Sequence, residues 1–431
     1  GRKCLFLFAL NTLEKSVLQT VSALQKKNPE KTKVRQDSYE RIPPMKIVFD
    51  KDVLVNALTP AMGAVSEKNT ISAIEGILFT TDGPSGCILS SYDLERGYRT
   101  SVKAEVLEEG SFIINANKLY RMIRTMPERQ ITIEVNEKFQ TKISSGNSRF
   151  SLSALPGNDF PNLPDLNGEG GICFSQALLK KMIGQVQHAI AFGTQRPVLT
   201  GAFFQITGKG LLMVTCDGNR LALREKNFSL DLEGTEEKFS FIVPGKTLSE
   251  LSKILSADEN KEVVLSFGRK HVIFRMEESI FFSRLIDGEY IDYKRVIPKN
   301  NNIKVLLDRQ ELLECLERVA LVTDDKSVGQ IMGFVKCVFE GDTLKVSSAS
   351  SVSSVSDQME IEKEGEDITI GFNCRFLMEA LRAISDEKIY LSLGTPFMSM
   401  VIEADPKKDE GDEEEKDGKY LYMVCPVKMK D

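Results

Sequence analysis

The chain has 431 residues, a formal net charge of −6, 42% hydrophobic and 27% charged residues; this is too long for one ordinary core and argues against a generally basic coat for nucleic acid, though not against one basic face. Eight cysteines with no CxxC spacing and two histidines remote from them supply few parts for a zinc site, a disulfide framework or a His-based triad, and point to a reducing cytoplasm. No apolar run reaches the length of a membrane span.

Residues 1–44 carry nine Lys/Arg against four Asp/Glu, and the short apolar stretch Cys4–Leu10 lacks the small-residue cleavage site of a signal peptide. This segment is expected to be disordered or an artefact of start-site choice, with a basic, helical, DNA-contacting arm as the other reading.

From Met45 the chain repeats itself three times. Each repeat opens on an apolar residue, a polar N-cap candidate and a helical pattern: Phe49-Asp50, Phe174-Ser175 and Leu307-Asp308. The first of these helices is charge-poor, and Pro60 should kink it or end it early. Strand-like runs follow at 76–80 and 87–91, at 201–205 and 211–215, and at 334–338 and 344–348. A second half of the same design has strands at 112–114, 241–243 and 368–370 running into helices that hold Leu119, Leu248 and Leu377, 129 residues apart both times. The expected architecture is α+β: three tandem domains at 45–168, 169–300 and 301–431, each a two-fold repeat of helix plus antiparallel sheet.

The helix at 118–126 places Leu119, Met122, Ile123 and Met126 on one face and Lys118, Arg121 and Arg124 opposite. The helix at 177–190 turns Leu179, Met182, Ile183 and Val186 inward, and Lys180, Lys181, Gln185 and His188 outward. The helix at 375–384 buries Leu377, Ala380, Leu381 and Ile384, leaving Arg375 and Arg382 outside. Lys246 and Lys253, and Arg309 and Arg318, take similar faces on two more. These five helices hold 11 basic residues against Glu250, Glu311, Glu314, Glu317 and Glu379, a basic excess within an acidic chain. A single such helix reads as a solvated face; the repetition suggests a use. A two-fold dimer would supply twelve helices. At roughly 10 Å each they give a circumference of about 120 Å and an opening of about 30 Å, enough to admit a duplex. Lys and Arg facing phosphates would bind without reading sequence and would let such a ring slide.

Several runs then resemble one known family, the bacterial sliding clamp or β subunit of DNA polymerase III. They are Met45–Phe49, Arg196–Gly201, Thr215–Ala222, Ser283–Asn300, Gly371–Asn373 and Met423–Met429, and the resemblance covers 45–431. It implies a head-to-tail homodimeric ring of six similar domains around duplex DNA, with no catalysis and no cofactor or metal. It also implies a hydrophobic pocket between domains 2 and 3 for short motifs of polymerases, the clamp loader, mismatch-repair proteins and regulators of the replication initiator. The matching wall is Leu199, Cys216, Gly218, Asn219, Arg220, Leu221, Ile291, Arg295, Val296, Asn373, Phe376, Phe397 and Ser399, with the tail Met423, Val424, Cys425, Pro426, Val427, Lys428 and Met429. The aliphatic members suit a peptide's Leu or Phe anchors, and Arg220 and Arg295 can hydrogen-bond its backbone or an acidic residue. Taken alone, Leu199 and Val296 read equally as core, and Arg220 as part of a turn. By the same resemblance Lys68, Gln195 and Arg196 approach DNA from loops on one face. The chain departs from the family at Asn219, where His is common, at Cys216 and Cys425, often Thr and Met, and at Ile291, often Pro. These changes put the pocket's shape and motif preference in doubt.

The acidic, turn-rich run 405–418 reads as a disordered hairpin tip between the last two strands, without calcium-loop spacing. Two other function classes compete. An enzyme would draw on Asp217, Asp287 and a Cys216 nucleophile, but lacks a base, a phosphate loop or metal spacing. A repeat scaffold would have no nucleic acid at its centre.

Overall fold

The computed structural model describes residues 44–66, 70–166, 171–227, 238–323, 334–349, 353–405 and 418–429. Lys68, residues 1–43 and residues 406–417 of the acidic run lie outside the described residues.

The first unit runs β1 (Met45–Asp50), α1 (Lys51–Ala61), β2 (Gly76–Thr81), β3 (Gly86–Tyr92), β4 (Arg96–Lys103), β5 (Glu105–Glu108), β6 (Ser111–Asn115), α2 (Ala116–Thr125), β7 (Gln130–Val135), β8 (Gln140–Ser145) and β9 (Ser148–Pro156). The second runs β10 (Ile172–Ser175), α3 (Gln176–Val186), β11 (Gly201–Thr207), β12 (Gly210–Cys216), β13 (Arg220–Asn227), β14 (Phe239–Pro244), α4 (Gly245–Ile254), β15 (Glu262–Phe267), β16 (His271–Met276) and β17 (Ser279–Arg284), with a short α5 (Tyr293–Val296) leading out. The third runs β18 (Ile303–Asp308), α6 (Arg309–Thr323), β19 (Phe334–Glu340), β20 (Thr343–Ala349), β21 (Ser354–Glu360), β22 (Glu362–Glu364), β23 (Ile368–Asn373), α7 (Cys374–Ala383), β24 (Lys388–Leu393), β25 (Met400–Ala404) and β26 (Lys419–Val424). Each unit is therefore a strand–helix–strands motif made twice, as the repeat spacing implies.

Local chemistry explains the helix starts. Asp50 accepts hydrogen bonds from the Asp52 and Val53 amides, and Asp308 accepts from Glu311 N at 2.8 Å. Ser175 makes no such bond, and its hydroxyl has no partner. In the second helices Asn115 caps Lys118 N and Asn373 caps Phe376 N, whereas the equivalent position holds Pro244, which has no side chain able to cap. Pro60 is the penultimate residue of α1, which ends at Ala61 and then tightens into a 3-10 turn, Met62–Ala64. Strands β1 and β18 bury alternate residues, the period-two pattern of a sheet with one face on the core.

Two features make one body of the three units. The sheets run on across both seams: β17 pairs antiparallel with β4, and β13 with β26. The helices form a single row, α2–α1–α4–α3–α7–α6, each touching the next even where neighbours belong to different units. The row ends in α2 at one extreme and α6 at the other. Strand β21 lies against α6, at one end of the row. Among the described residues β21 pairs only with β20, and Ser148–Ser153 of β9 pair only with β8.

Candidate DNA channel and peptide-docking seam

The helix row carries the predicted cations, in two kinds. On α2, Leu119 and Ile123 are fully buried while Lys118, Arg121 and Arg124 are exposed, Arg124 lying 5.5 Å from the ring of its own Tyr120. Lys181 and Lys246 are also exposed, as are Gln195 and Arg196 in the loop before β11. Lys118, Arg121 and Lys246 make no side-chain ion pair or hydrogen bond among the described residues. Other cations are tied into the chain. Lys180 Nζ donates to Leu255 O (2.9 Å) and Arg309 Nε to Asp386 O (2.8 Å). Lys253 pairs with Glu250 (2.8 Å), Arg318 with Asp357 (2.5 Å), Arg375 with Glu379 (2.7 Å) and Arg382 with Glu317 (2.8 Å). The last four remain at the surface, where such pairs exchange readily for a phosphate. Lys180 and Arg309 are half-buried and act as structural donors.

Two residues expected to face outward from this helix do not, Gln185 near the end of α3 and His188 in the 3-10 turn Gln187–Ala189 that follows it. Gln185 is buried and donates to Ala383 O at 3.3 Å in the third unit, and His188 is largely covered beside the Tyr422 ring. The third unit covers the face expected to be exposed, α7 over Gln185 and Tyr422 of β26 beside His188.

At the seam of the second and third units Leu199, Cys216, Leu221 and Met423 of the expected pocket pack in one cluster, with Ile291 and Cys425 against it. The turn before β13 is locked by Asp217, whose carboxylate accepts from Asn219 N (2.8 Å) and Arg220 N (3.0 Å). Gly218 in this turn has φ +94°, the region that favours glycine. Arg220 lies 3.0 Å from the second Asp217 oxygen, donates to Glu379 on α7, and stacks 4.1 Å over the Phe376 ring. Its guanidinium is thus a buried tie between units, and two of its nitrogens are already committed. The tail is stitched alongside: Cys425 N donates to Asn219 O (2.9 Å), Val427 N to Gly371 O (2.8 Å) and Ser399 Oγ to Cys425 Sγ (3.4 Å).

Burial sorts the seam into layers. Leu199, Cys216, Leu221, Met423 and Val424 are buried floor. Asn373, Phe376, Ile291, Ser399, Cys425, Pro426, Val427 and Met429 are half-buried. Gly218, Asn219, Arg295, Val296, Phe397 and Lys428 are exposed, Phe397 at 81% and Arg295 paired with Asp292 (2.8 Å). Sequence reasoning missed Tyr290 and Tyr293, which join the floor cluster with Leu199 and Met423. It also missed Glu379 as the partner of Arg220; the i,i+4 spacing from Arg375 was the available signal.

The seam does not support nucleophilic chemistry. Burial pushes the Cys216 thiol up, away from the thiolate, and Asp217 is consumed by its turn. Among the described residues no group of three or more His, Cys, Asp or Glu is placed to hold a metal ion, and no helix is long and apolar enough to cross a membrane.

Repeated domains, sheets continued across seams and one row of helices bearing free cations define a clamp subunit, a class of protein that encloses rather than grips its ligand. Comparison with known proteins agrees. The N-terminal, central and C-terminal domain models of the DNA polymerase III beta subunit match residues 45–164, 174–292 and 294–413. The beta sliding clamps of Staphylococcus epidermidis and Staphylococcus aureus are each 28% identical over 376 residues, spanning 85% of this chain and 97% of theirs. Crystal structures of a putative DNA polymerase III beta subunit from Eubacterium rectale (28% identity, covering 89% of this chain and all of that one) and of the Bacillus subtilis sliding clamp (26%, 90% and all) both superpose with a TM-score of 0.81. The chain belongs to the DNA polymerase III β subunit family, the bacterial sliding clamps. It is accordingly a non-catalytic processivity factor of DNA replication, acting with DNA and a polymerase.

Proposed function

We propose that two copies of this chain close head to tail into a six-domain ring around duplex DNA, in the cytoplasm, with domains at 45–168, 169–300 and 301–431. The observation that carries this reading is the pattern of seams. Both seams inside the chain join the third strand after the helix in one unit's first half to the third strand after the helix in the next unit's second half, β4 to β17 and β13 to β26. The same rule applied once more joins β21 to β9 of a second copy, and among the described residues both strands have an edge left unpaired. Lys118, Arg121, Arg124, Lys181 and Lys246 would then face the enclosed phosphates, with Gln195, Arg196 and Lys68 reaching in from loops. The seam of domains 2 and 3 docks short apolar-anchored peptides, supplied by polymerase subunits, a clamp loader and mismatch-repair proteins. Its half-buried and exposed residues receive them, and Arg220 shapes the wall.

Light scattering should give a mass near twice the 48.2 kDa of the chain. The loaded protein should stay on closed circular DNA and run off after linearisation. Equal loss from both forms would reject enclosure of the duplex.

A further inference from the structure

The seam of domains 1 and 2 has the same backbone plan as the seam just described and differs from it in what covers its arginine. Asp93 accepts from Glu95 N (3.0 Å) and Arg96 N (2.7 Å), and its other oxygen lies 3.0 Å from Arg96 Nε, as in the Asp217–Arg220 turn. Arg284 N donates to Glu95 O (2.7 Å), the counterpart of Cys425 N to Asn219 O. Leu94 holds φ +76° where the other turn has Gly218, so the same left-handed backbone is kept here against the strain of a side chain. The partners supplied by the neighbouring helix diverge. At the 129-residue spacing, Phe376 becomes Thr247 and Glu379 becomes Glu250, which turns to Lys253 (2.8 Å) instead of to Arg96. Where Phe376 and Glu379 cover Arg220, a cavity of about 980 Å³ remains over Arg96.

That cavity has an apolar side, Ile190, Phe192 and Ile286, and a cationic side, Arg96, Lys246 and Arg284. Phe192 is 95% exposed. Lys246 and Arg284 make no side-chain ion pair among the described residues, and Arg96 pairs only with Asp93. Of the two lining carboxylates Glu250 is engaged, so the unpaired balance is positive. Ile286 also belongs to the apolar cluster beneath the domain 2–3 pocket, so the two sites share a wall. The size suits a short ligand, and guanidinium beside aliphatic surface suits a carboxylate flanked by a branched side chain.

We propose that the domain 1–2 cavity is a second docking site, taking an acidic peptide segment with an aliphatic anchor from a partner protein. The assignment rests on reading the domain 2–3 seam as a peptide pocket, and the test separates the two. A fluorescent peptide alternating glutamate and leucine is titrated against the full chain, beside a neutral peptide anchored by leucine and phenylalanine. The acidic peptide should bind saturably. Arg284→Glu should weaken it about tenfold by reversing a lining charge, and Ser249→Phe should block it by filling the cavity. Both variants should leave the neutral peptide's affinity and the thermal unfolding unchanged. Failure of the neutral peptide alone would sink the domain 2–3 reading and leave this one standing. Saturable binding of the acidic peptide that ignores both substitutions, or no binding at all, overturns the proposal. So does a loss confined to duplex DNA binding in Arg284→Glu, which would assign the cavity to phosphate.

Discussion

His188 shows what a residue loses and gains by lying on a seam. Burial, and then the nearby Arg220 guanidinium, lower its pKa from 6.5 to about 4, with Glu379 pulling the other way, and its Nδ1 has no partner. The imidazole is therefore neutral in the folded chain, while the unfolded chain takes up a proton near pH 6.5. Stability from this residue is complete above that pH and drains as the pH falls toward 4, by about 2 kcal/mol between pH 7 and pH 5. Urea unfolding at the two pH values should show that loss in the native chain and not in His188→Phe; parallel curves would dismiss the burial account. The same residue marks a limit of sequence reading. The 3.6-residue period placed Gln185 and His188 outward, but periodicity carries no information about what a neighbouring domain lays over a face. Arg220 repeats the lesson: its turn was legible in Asp-Gly-Asn-Arg, its burial under Phe376 was not.

Among the elements, α2 is the cleanest case of a face built for a distant charge. Its buried side is aliphatic, its N-terminus is closed by Asn115, and its three exposed cations are not spent on carboxylates of the described residues. Replacing Lys118, Arg121 and Arg124 together by alanine should leave the folded mass and the unfolding midpoint unchanged. Retention on circular DNA should weaken, and the slope of log affinity against log salt should fall by up to about 3. An unaltered slope would remove α2 from the DNA-facing set. Elements of this kind were legible because strong periodicity and caps agree. The short edge strands β5 and β22 and the single turn of α5 were not, since three or four residues hold their conformation through what they lie against. Lys180 and Arg309 were read as outer cations because a lysine or arginine looks alike in sequence whether it reaches a phosphate or a carbonyl at a helix end.

For the whole molecule, the three-fold repeat was visible in the 129-residue spacing, and the seams follow from it once strand order is known. Phe150 on the unpaired part of β9 is 37% exposed. Phe150→Asp places a charge on that edge and should convert the dimer to a folded species of about 48.2 kDa that no longer remains on circular DNA. Persistence of the doubled mass would move the contact elsewhere. The ladders across the two internal seams are backed by the covalent chain that threads through both. A β21–β9 junction between copies would have the ladder without the thread. Under an outward pull, load divides equally among like joints but recovery does not, because an untethered joint can separate completely while a tethered one re-forms at once. The ring would behave as two stiff arcs with a clasp at each meeting point, and whatever parts it to admit DNA needs to work on a clasp, not to bend an arc.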